Sequence, residues 1–393
     1  LLELDCPTQD YDWGSSDAIP GFQRRTAEGR PVAEVWMGTH PLGTAQVVDG
    51  AAVRRPLTAV AGELGFMLKI LAAGRPLSIQ VHPNEARAKA GFAAEEAAGV
   101  PLDAPQRVFK DPSPKPEMVY ALSTFDTLVG FRPTAEILRV LMPLRHPTVR
   151  ALVKSLRDNP GFAGIVRLVE GLVGDPPSPD VVRDVVAECR EALEEGIDIK
   201  RAYATAVEIA QFYPGDVGVI VSLLLNRLTL QPGEAAYLGT GIIHAHLRGM
   251  CLEVMVSSDN VLRAGLTSKH LDPVGLVQCL EEGMSRVARV TPRLFGASTD
   301  VFSPTADFAL SITQSSQADP GGVTLPASGP RLLVCTGGEV ALLNERDQML
   351  HLRRGDTAFA DDSDGELRVV GTGEVAQAYR PTGDDAAELL DLV

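Results

Sequence analysis

A mainly β chain with one helical insert is the fold class this sequence predicts, and three observations predict it. Residues 1 to about 133, and again those from about 213 onward, carry short apolar runs such as Ala45–Val48 and Pro76–His82, punctuated by Gly, Pro and Asp. Between them, from about 134 to 212, the apolar spacing turns helical. Twice, at Asn226–Leu238 and Leu350–Ala360, the chain reads strand, polar or glycine turn, strand. Such units recur in double-stranded jelly rolls, the cupin architecture, and two of them suggest two cupin-like jelly-roll modules plus an α-helical domain.

Taken in order, the first β region is interrupted by a helix expected over 84–98. Asn84 can cap it, and the residues after the cap are mostly Ala, Glu and Lys. The insert contains helical segments at Ala135–Leu141, Pro147–Ser155, Pro179–Glu195 and Arg201–Phe212, with Pro147 acceptable in a first turn. Gly174–Pro179 reads as a loop inside it. Ser315–Pro330 reads as a flexible connection within the last module. Arg248-Gly249 suggests a two-residue hairpin turn, because glycine accepts positive φ. In that register His244 would lie opposite Glu253.

Composition bounds the function. The chain has 393 residues, 45% hydrophobic and 22% charged, the profile of a soluble globular protein of two or three domains. A net charge of −15 argues against a nucleic-acid partner, since phosphate backbones require a basic surface. It does not exclude a small phosphorylated substrate, which needs only a local cationic pocket. The five cysteines (Cys6, Cys189, Cys251, Cys279 and Cys335) are scattered, with no CxxC, so reduced thiols and a cytoplasmic location are expected. No apolar run reaches the ~18 residues of a membrane span.

The strongest chemical signal is Leu77-Ser78-Ile79-Gln80-Val81-His82-Pro83. Side chains alternate along a strand, so Ser78, Gln80 and His82 share one face, a polar stripe in an otherwise apolar run. Glu117, after the Pro-rich turn Asp111–Pro116, and His244, in Ile243-His244-Ala245-His246, offer compatible donors. Gln80, His82, Glu117 and His244 could together hold one divalent metal. The competing reading for a lone strand histidine is a hydrogen-bonded structural residue. Glu253 sits among Cys251, Leu252, Val254 and Met255, apolar on both faces, and a carboxylate buried there beside a metal could act as a general base.

Several further segments, read together, carry a family resemblance. They are Tyr11-Asp12-Trp13-Gly14, Ala33–Pro41, Leu77–Pro83, Lys115–Met118, Gly130-Phe131-Arg132-Pro133, Tyr213–Asp216 and the long run Ser257–Thr267. In this order, from about residue 10 to about 275, they resemble type I phosphomannose isomerases. The resemblance implies a zinc-dependent aldose–ketose isomerase acting on mannose 6-phosphate and fructose 6-phosphate. It implies a discontinuous catalytic cupin-like domain (1–133 and 213–290), a helical domain (134–212) and a C-terminal cupin-like domain (291–393).

By resemblance, Gln80, His82, Glu117 and His244 are the ligands of one zinc ion, and Arg263 is an active-site arginine. Lys69, Lys115 and Lys269 stand at matching positions. Glu253 is the first candidate for moving the proton and Lys115 the second. Ser78, Lys69, Lys269, Trp13 and His246 are expected to line the substrate site. The family usually has Tyr where this chain has His246. It usually reads Asn-His-Lys-Pro-Glu where this chain reads Ser113-Pro114-Lys115-Pro116-Glu117, so a His is replaced by Pro114; that His is expected to be dispensable. A small hexose phosphate is the expected partner, with no nucleic acid or membrane, and the chain is expected to be a monomer. A different metal-dependent cupin enzyme, such as a dioxygenase, and a catalytically silent sugar-phosphate binder are the alternatives.

Overall fold

The computed structural model describes residues 1–49, 53–282, 288–326 and 329–382. Among these residues the protein is mainly β. Two eleven-stranded sheets, antiparallel in every pairing, account for the strands. One carries the strands Glu34–Met37, Phe66–Ala73, Ile79–Val81, Glu117–Ala121, Phe125–Phe131, Leu225–Leu230, Ala235–Leu238, His244–Val256 and Leu262–Gly265. The other is built mostly from residues 293–379, around the long pair Arg331–Leu343 and Arg368–Tyr379. Leu2–Asp5, Gln46–Asp49 and Val53–Pro56 join this second sheet, with Leu2 opposite Phe359. The N-terminal segment therefore ties the two β regions together.

The strand Phe66–Ala73 shows how one sequence serves two faces. Every residue in it is buried. Leu68, Ile70 and Ala72 enter a core shared with Phe302, Leu310, Leu332, Phe359 and Ala376 of the second sheet. Met67, Lys69 and Leu71 point the other way by strand alternation. The helices Thr134–Leu141, Pro147–Asp158, Phe162–Gly174, Pro179–Glu194 and Ala202–Ala210 form the insert. Their apolar residues pack with Ile79, Val81, Leu128, Ala245, Leu247 and Leu262 in one cluster, so the helical layer backs the first sheet.

The expected helix after Asn84 runs Glu85–Ala97, and the Asn84 side chain accepts from the Arg87 amide as a cap should. The helix Phe162–Gly174 is an addition to the segments expected from sequence. It opens after Gly161, and its apolar residues Ile165, Leu168, Val169, Leu172 and Val173 are all buried. The Ser315–Pro330 connection contains a short strand, Val323–Thr324, paired with Arg368 and Val369; residues 327 and 328 lie outside the described residues. So do 383–393, the end of the expected C-terminal domain.

The hairpin expected at Arg248-Gly249 does not form. His244–Val256 is one continuous strand of 13 residues. Its first part pairs with Phe125–Phe131 and its second with Phe66–Ala73 and Glu117–Ala121. Gly249, at φ +109°, bends the strand between these partners instead of reversing it. A Cβ there would clash with the Thr124 carbonyl oxygen, so the bend requires glycine.

Candidate metal centre and active site

Register assembles the site. Arg263 pairs with Gln80 on one side of the short strand Ile79–Val81, and His244 pairs with Gln80 on the other. Residues directly opposite in an antiparallel ladder project from the same face. Arg263, Gln80 and His244 thus form one row across three strands. A second row runs Trp36, Lys69, Glu253, Val119, again by direct pairing. Glu117 lies two residues from Val119, on the same face.

The four expected ligands come together. Ligating atoms of His82, Glu117 and His244 all lie within 4.8 Å of one another, and Gln80 Nε2 is 3.4 Å from His244 Nε2. His82, Glu117 and His244 are fully buried or nearly so. The tautomers follow from the second contact of each ring. His82 Nδ1 donates to the Asn260 carbonyl at 2.7 Å, and His244 Nδ1 donates to the Ile242 carbonyl at 2.9 Å. A carbonyl can only accept, so each Nε2 presents a lone pair inward. These lone pairs face Glu117, with His82 Nε2 3.4 Å from Oε1 and His244 Nε2 3.4 Å from Oε2. Glu117 Oε2 is buried without a hydrogen-bond partner. Converging lone pairs around an orphaned carboxylate oxygen are the donor set of a divalent cation, and two His nitrogens with oxygen donors suit zinc. A half-turn of the Gln80 amide would present its oxygen to the same centre.

The turn before Glu117 is held by Asn260. Its side-chain oxygen accepts from the Lys110 amide at 2.7 Å, and its Nδ2 donates to the carbonyls of Asp111 and Ser113 at 2.7 and 2.8 Å. Asp111 in turn accepts from Ser258 Oγ and the Asp259 amide. Asn260 therefore orients His82 through its carbonyl and the Glu117 turn through its side chain. Lys115 emerges from that turn with Nζ 2.7 Å from Glu117 Oε1 and 3.4 Å from His82 Nε2.

Beside the expected ligands lies a buried charge triad. Lys69 Nζ is 3.1 Å from Glu253 Oε2 and 3.7 Å from Glu34 Oε1. Burial alone would push the Lys69 ammonium down, but Glu34 and Glu253 more than reverse this and raise it. Burial likewise pushes Glu253 up, yet Lys69 and then His246 outweigh it and bring the carboxyl down to about 2. Glu34 is raised, by burial first, with the Glu253 charge adding to the effect. His246 Nε2 sits 3.4 Å from Glu253 Oε1, and its Nδ1 is 3.1 Å from Thr127 Oγ1. Glu117, His246 and Glu253 also place ligating atoms within 4.8 Å of one another, so the two groups are contiguous.

Arg263 is largely enclosed, and burial lowers its pKa. Lys269 is lowered by burial and then by the nearby charges of Arg263 and Lys110. Arg263, Lys269 and Lys110 are thus near enough for their charges to act on one another, which concentrates positive charge on this part of the chain. Ser78, half-buried, precedes Gln80 by two residues. Trp13 is half-buried, stacked on Tyr11 at 5.7 Å and packed against the cluster of Leu71, Leu77 and Val119.

Sequence reasoning did not single out Glu34, His40, Asp259 or Asn260. His40 Nε2 lies 3.3 Å from Asp259 Oδ2, and His40 packs edge-on against Trp36 at 4.9 Å. The signal for Glu34 was present: a carboxylate two residues before Trp36 in a strand buried throughout, whose indole donates to it at 2.6 Å.

Comparison with known proteins bears on this geometry. Residues 1–134 match the family model for the phosphomannose isomerase type I catalytic domain. The mannose-6-phosphate isomerase of Escherichia coli (strain K12) is 35% identical over 402 residues, covering 96% of this chain and 99% of that protein. The Homo sapiens enzyme of the same name is 31% identical over 319 residues, covering 71% and 73%. The crystal structure of mannose 6-phosphate isomerase from Salmonella typhimurium bound to its substrate fructose 6-phosphate and to zinc superposes with a TM-score of 0.85 at 32% identity, over 97% of this chain and 99% of that one. A zinc-bound holo form of a mannose 6-phosphate isomerase superposes at 0.86 and 31% identity, with the same coverage.

Proposed function

The chain belongs to the type I phosphomannose isomerase family, and from that premise we propose that it interconverts mannose 6-phosphate and fructose 6-phosphate through an enediolate, with one zinc ion per chain. The observation that carries the reading is the row Arg263–Gln80–His244, which aligns a largely enclosed cation with a cation-seeking donor set on one face. Gln80, His82, Glu117 and His244 would hold the zinc. When bound, it supplies Lewis-acid polarisation of the sugar carbonyl and stabilises the negative charge that develops on the oxygens.

The remaining chemistry belongs to side chains. A proton must pass between C2 and C1 of the open-chain sugar. Glu253 is tied to Lys69 and held low, which makes it a weak base. Lys115 reaches the ligand cluster from the turn above, and we assign it the proton transfer, with Glu253 positioning Lys69. Arg263 offers fixed positive charge to the developing enediolate. Lys269 and Ser78 hold the phosphate, whose binding energy orients the distant reacting carbons. Trp13, His246 and Lys69, the last held by Glu253, line the site. Pro114 stands beside Lys115 without removing any group this scheme uses.

We further read the two sheets as two cupin-like modules, with 1–133 and 213–290 forming the catalytic one, 134–212 the helical domain and 291–393 the C-terminal module. The strands Leu2–Asp5 and Gln46–Asp49 belong to the first of these in sequence while pairing in the second sheet. The five free cysteines fit a reducing, cytoplasmic setting. Among the described residues, no helix is long and apolar enough to cross a membrane. A monomer is the proposed state.

A coupled assay of mannose 6-phosphate conversion, run on the chelated protein and after zinc is restored, tests the reading. Turnover that appears only with zinc is expected. A zinc-loaded protein that binds the sugar phosphate without converting it would overturn the assignment in favour of a silent binder.

A further inference from the structure

Glu253 reaches the site by a route that strand alternation forbids. His244 and His246 occupy even positions of their strand and Glu253 an odd one, so an unbroken strand would send Glu253 to the opposite face. The structure contains a correction. His246 pairs with Thr127 and Arg248 with Asp126, leaving Leu247 as an extra residue between the pairs. Two residues facing one step of the partner strand make a β-bulge, and each bulge shifts the alternation by one. After it, Glu253 shares the face of His244 and His246, while Leu252 and Val254 turn into the core between the sheets.

The bulge is fastened from behind by a buried ionic knot. Asp126 is 1% exposed. It accepts from Arg248 Nε at 2.8 Å, from Arg227 at 2.8 Å and from Thr229 Oγ1 at 2.5 Å. Arg227 is itself anchored to Glu208 of the helical insert. Arg248 is the first residue past the bulge, so this knot fixes the point at which the alternation changes.

We infer that Asp126 is a positioning residue of the reaction: with Arg248 it pins the bulge at Leu247 that presents Glu253, and through Glu253 also Lys69, to the face carrying His244. The inference rests on the isomerase reading for its kinetic consequence alone. Asp126 and Arg248 touch no expected ligand. Their effect passes through the strand.

Three variants test it: Asp126→Asn, Arg248→Ala and Arg248→Lys. The Arg248 side chain is 57% exposed, so its replacement leaves the core intact and protects the test against misfolding. Each zinc-loaded variant is assayed for kcat and KM and for zinc stoichiometry, and its crystal structure is solved. A misplacement of about 1 Å in an active-site group can cost about 100-fold in rate. Asp126→Asn and Arg248→Ala are expected to lower kcat by about 10- to 100-fold at nearly unchanged KM and zinc content, with Glu253 moved away from His246. Arg248→Lys, which can still donate to Asp126, is expected to recover most of the rate. Wild-type kcat in both disruptive variants, or Glu253 still 3.4 Å from His246 in their crystals, would overturn the inference. Should the wild type itself show no turnover, the isomerase reading falls while the crystal structures still decide whether the knot sets the bulge.

Discussion

Replacing Glu253 by Gln removes one of two acids that flank a buried ammonium, and the size of the effect depends on whether Glu34 can replace it. Lys69 Nζ lies 3.1 Å from Glu253 and 3.7 Å from Glu34. At an effective dielectric of about 20, those separations correspond to gross attractions of about 5 and about 4 kcal/mol, so the two acids are nearly equivalent partners. Glu34 is presently raised by burial and by the Glu253 charge. With Gln at 253 the repulsion disappears, and Glu34 becomes the full counter-ion. Glu253→Gln should then cost only about 1–2 kcal/mol, close to one charge-assisted hydrogen bond. Glu34→Gln should cost a similar amount, since Glu253 already carries its charge. The double variant leaves the ammonium buried with neither carboxylate in contact. Stranding a buried charge costs about 3–5 kcal/mol. The loss in the double variant, about 3–5 kcal/mol, should therefore exceed the summed single losses, about 2–4 kcal/mol, by about 1 kcal/mol. Urea denaturation of the four zinc-free proteins at pH 7, accepted only where m-values agree, measures this directly. Losses that add to within about 0.5 kcal/mol would refute the argument that Lys69 needs one acid and has a spare.

Three further outcomes are expected. Lys115→Met should lower turnover by about 100-fold or more with zinc retained, whereas Glu253→Gln should cost several-fold less; the reverse order, read from kcat on zinc-loaded proteins, would return the proton transfer to Glu253. Arg263→Ala should depress kcat strongly, while Lys269→Ala and Ser78→Ala should mainly raise KM, a split visible in steady-state kinetics on mannose 6-phosphate. For Asp126, burial pushes the carboxyl up, but Arg227 and Thr229 overcome it and bring it down to about 2. A depressed carboxyl stabilises the fold above its unfolded pKa of ~3.9, and that stability is lost as pH falls toward the folded value. Zinc-free wild type should thus lose about 2 kcal/mol between pH ~4 and ~2 that Asp126→Asn does not lose, measured by urea denaturation across that window.

How much of this was legible in the sequence divides along physical lines. Short-range patterns read well. The polar alternation around Gln80 and His82 pointed to the short strand Ile79–Val81, which brings both toward the donor cluster of Glu117 and His244, and the Asn84 cap marked the start of its helix, because both patterns depend on neighbours a few residues away. Lys69 alone in Phe66–Ala73 was a comparable clue, since an ammonium in a fully buried strand requires an acid. Which acid it meets depends on strand register and could not be read locally. Glu34 and Glu253 reach Lys69 from two different strands.

Glu253 shows the limit most clearly. The expected hairpin placed it beside His244 through a tight turn at Arg248-Gly249. The structure instead has a bent, bulged strand, and the carboxylate arrives beside His246 through a parity change at Leu247. Both routes use the same glycine, because both need a residue at positive φ next to Arg248. What separates them is where the two halves of the strand find partners. The sequence around 248 is compatible with either, and the choice is made by distant chain: Asp126 on one strand, Ala73 and Ala121 on two others. A bulge has no signature of its own in a single sequence, since the extra residue looks like any other strand residue. It becomes visible only when the pairing partner is known. A glycine flanked by charged and apolar residues in a strand thus signals a bend, and only tertiary pairing distinguishes a reversal from a change of face.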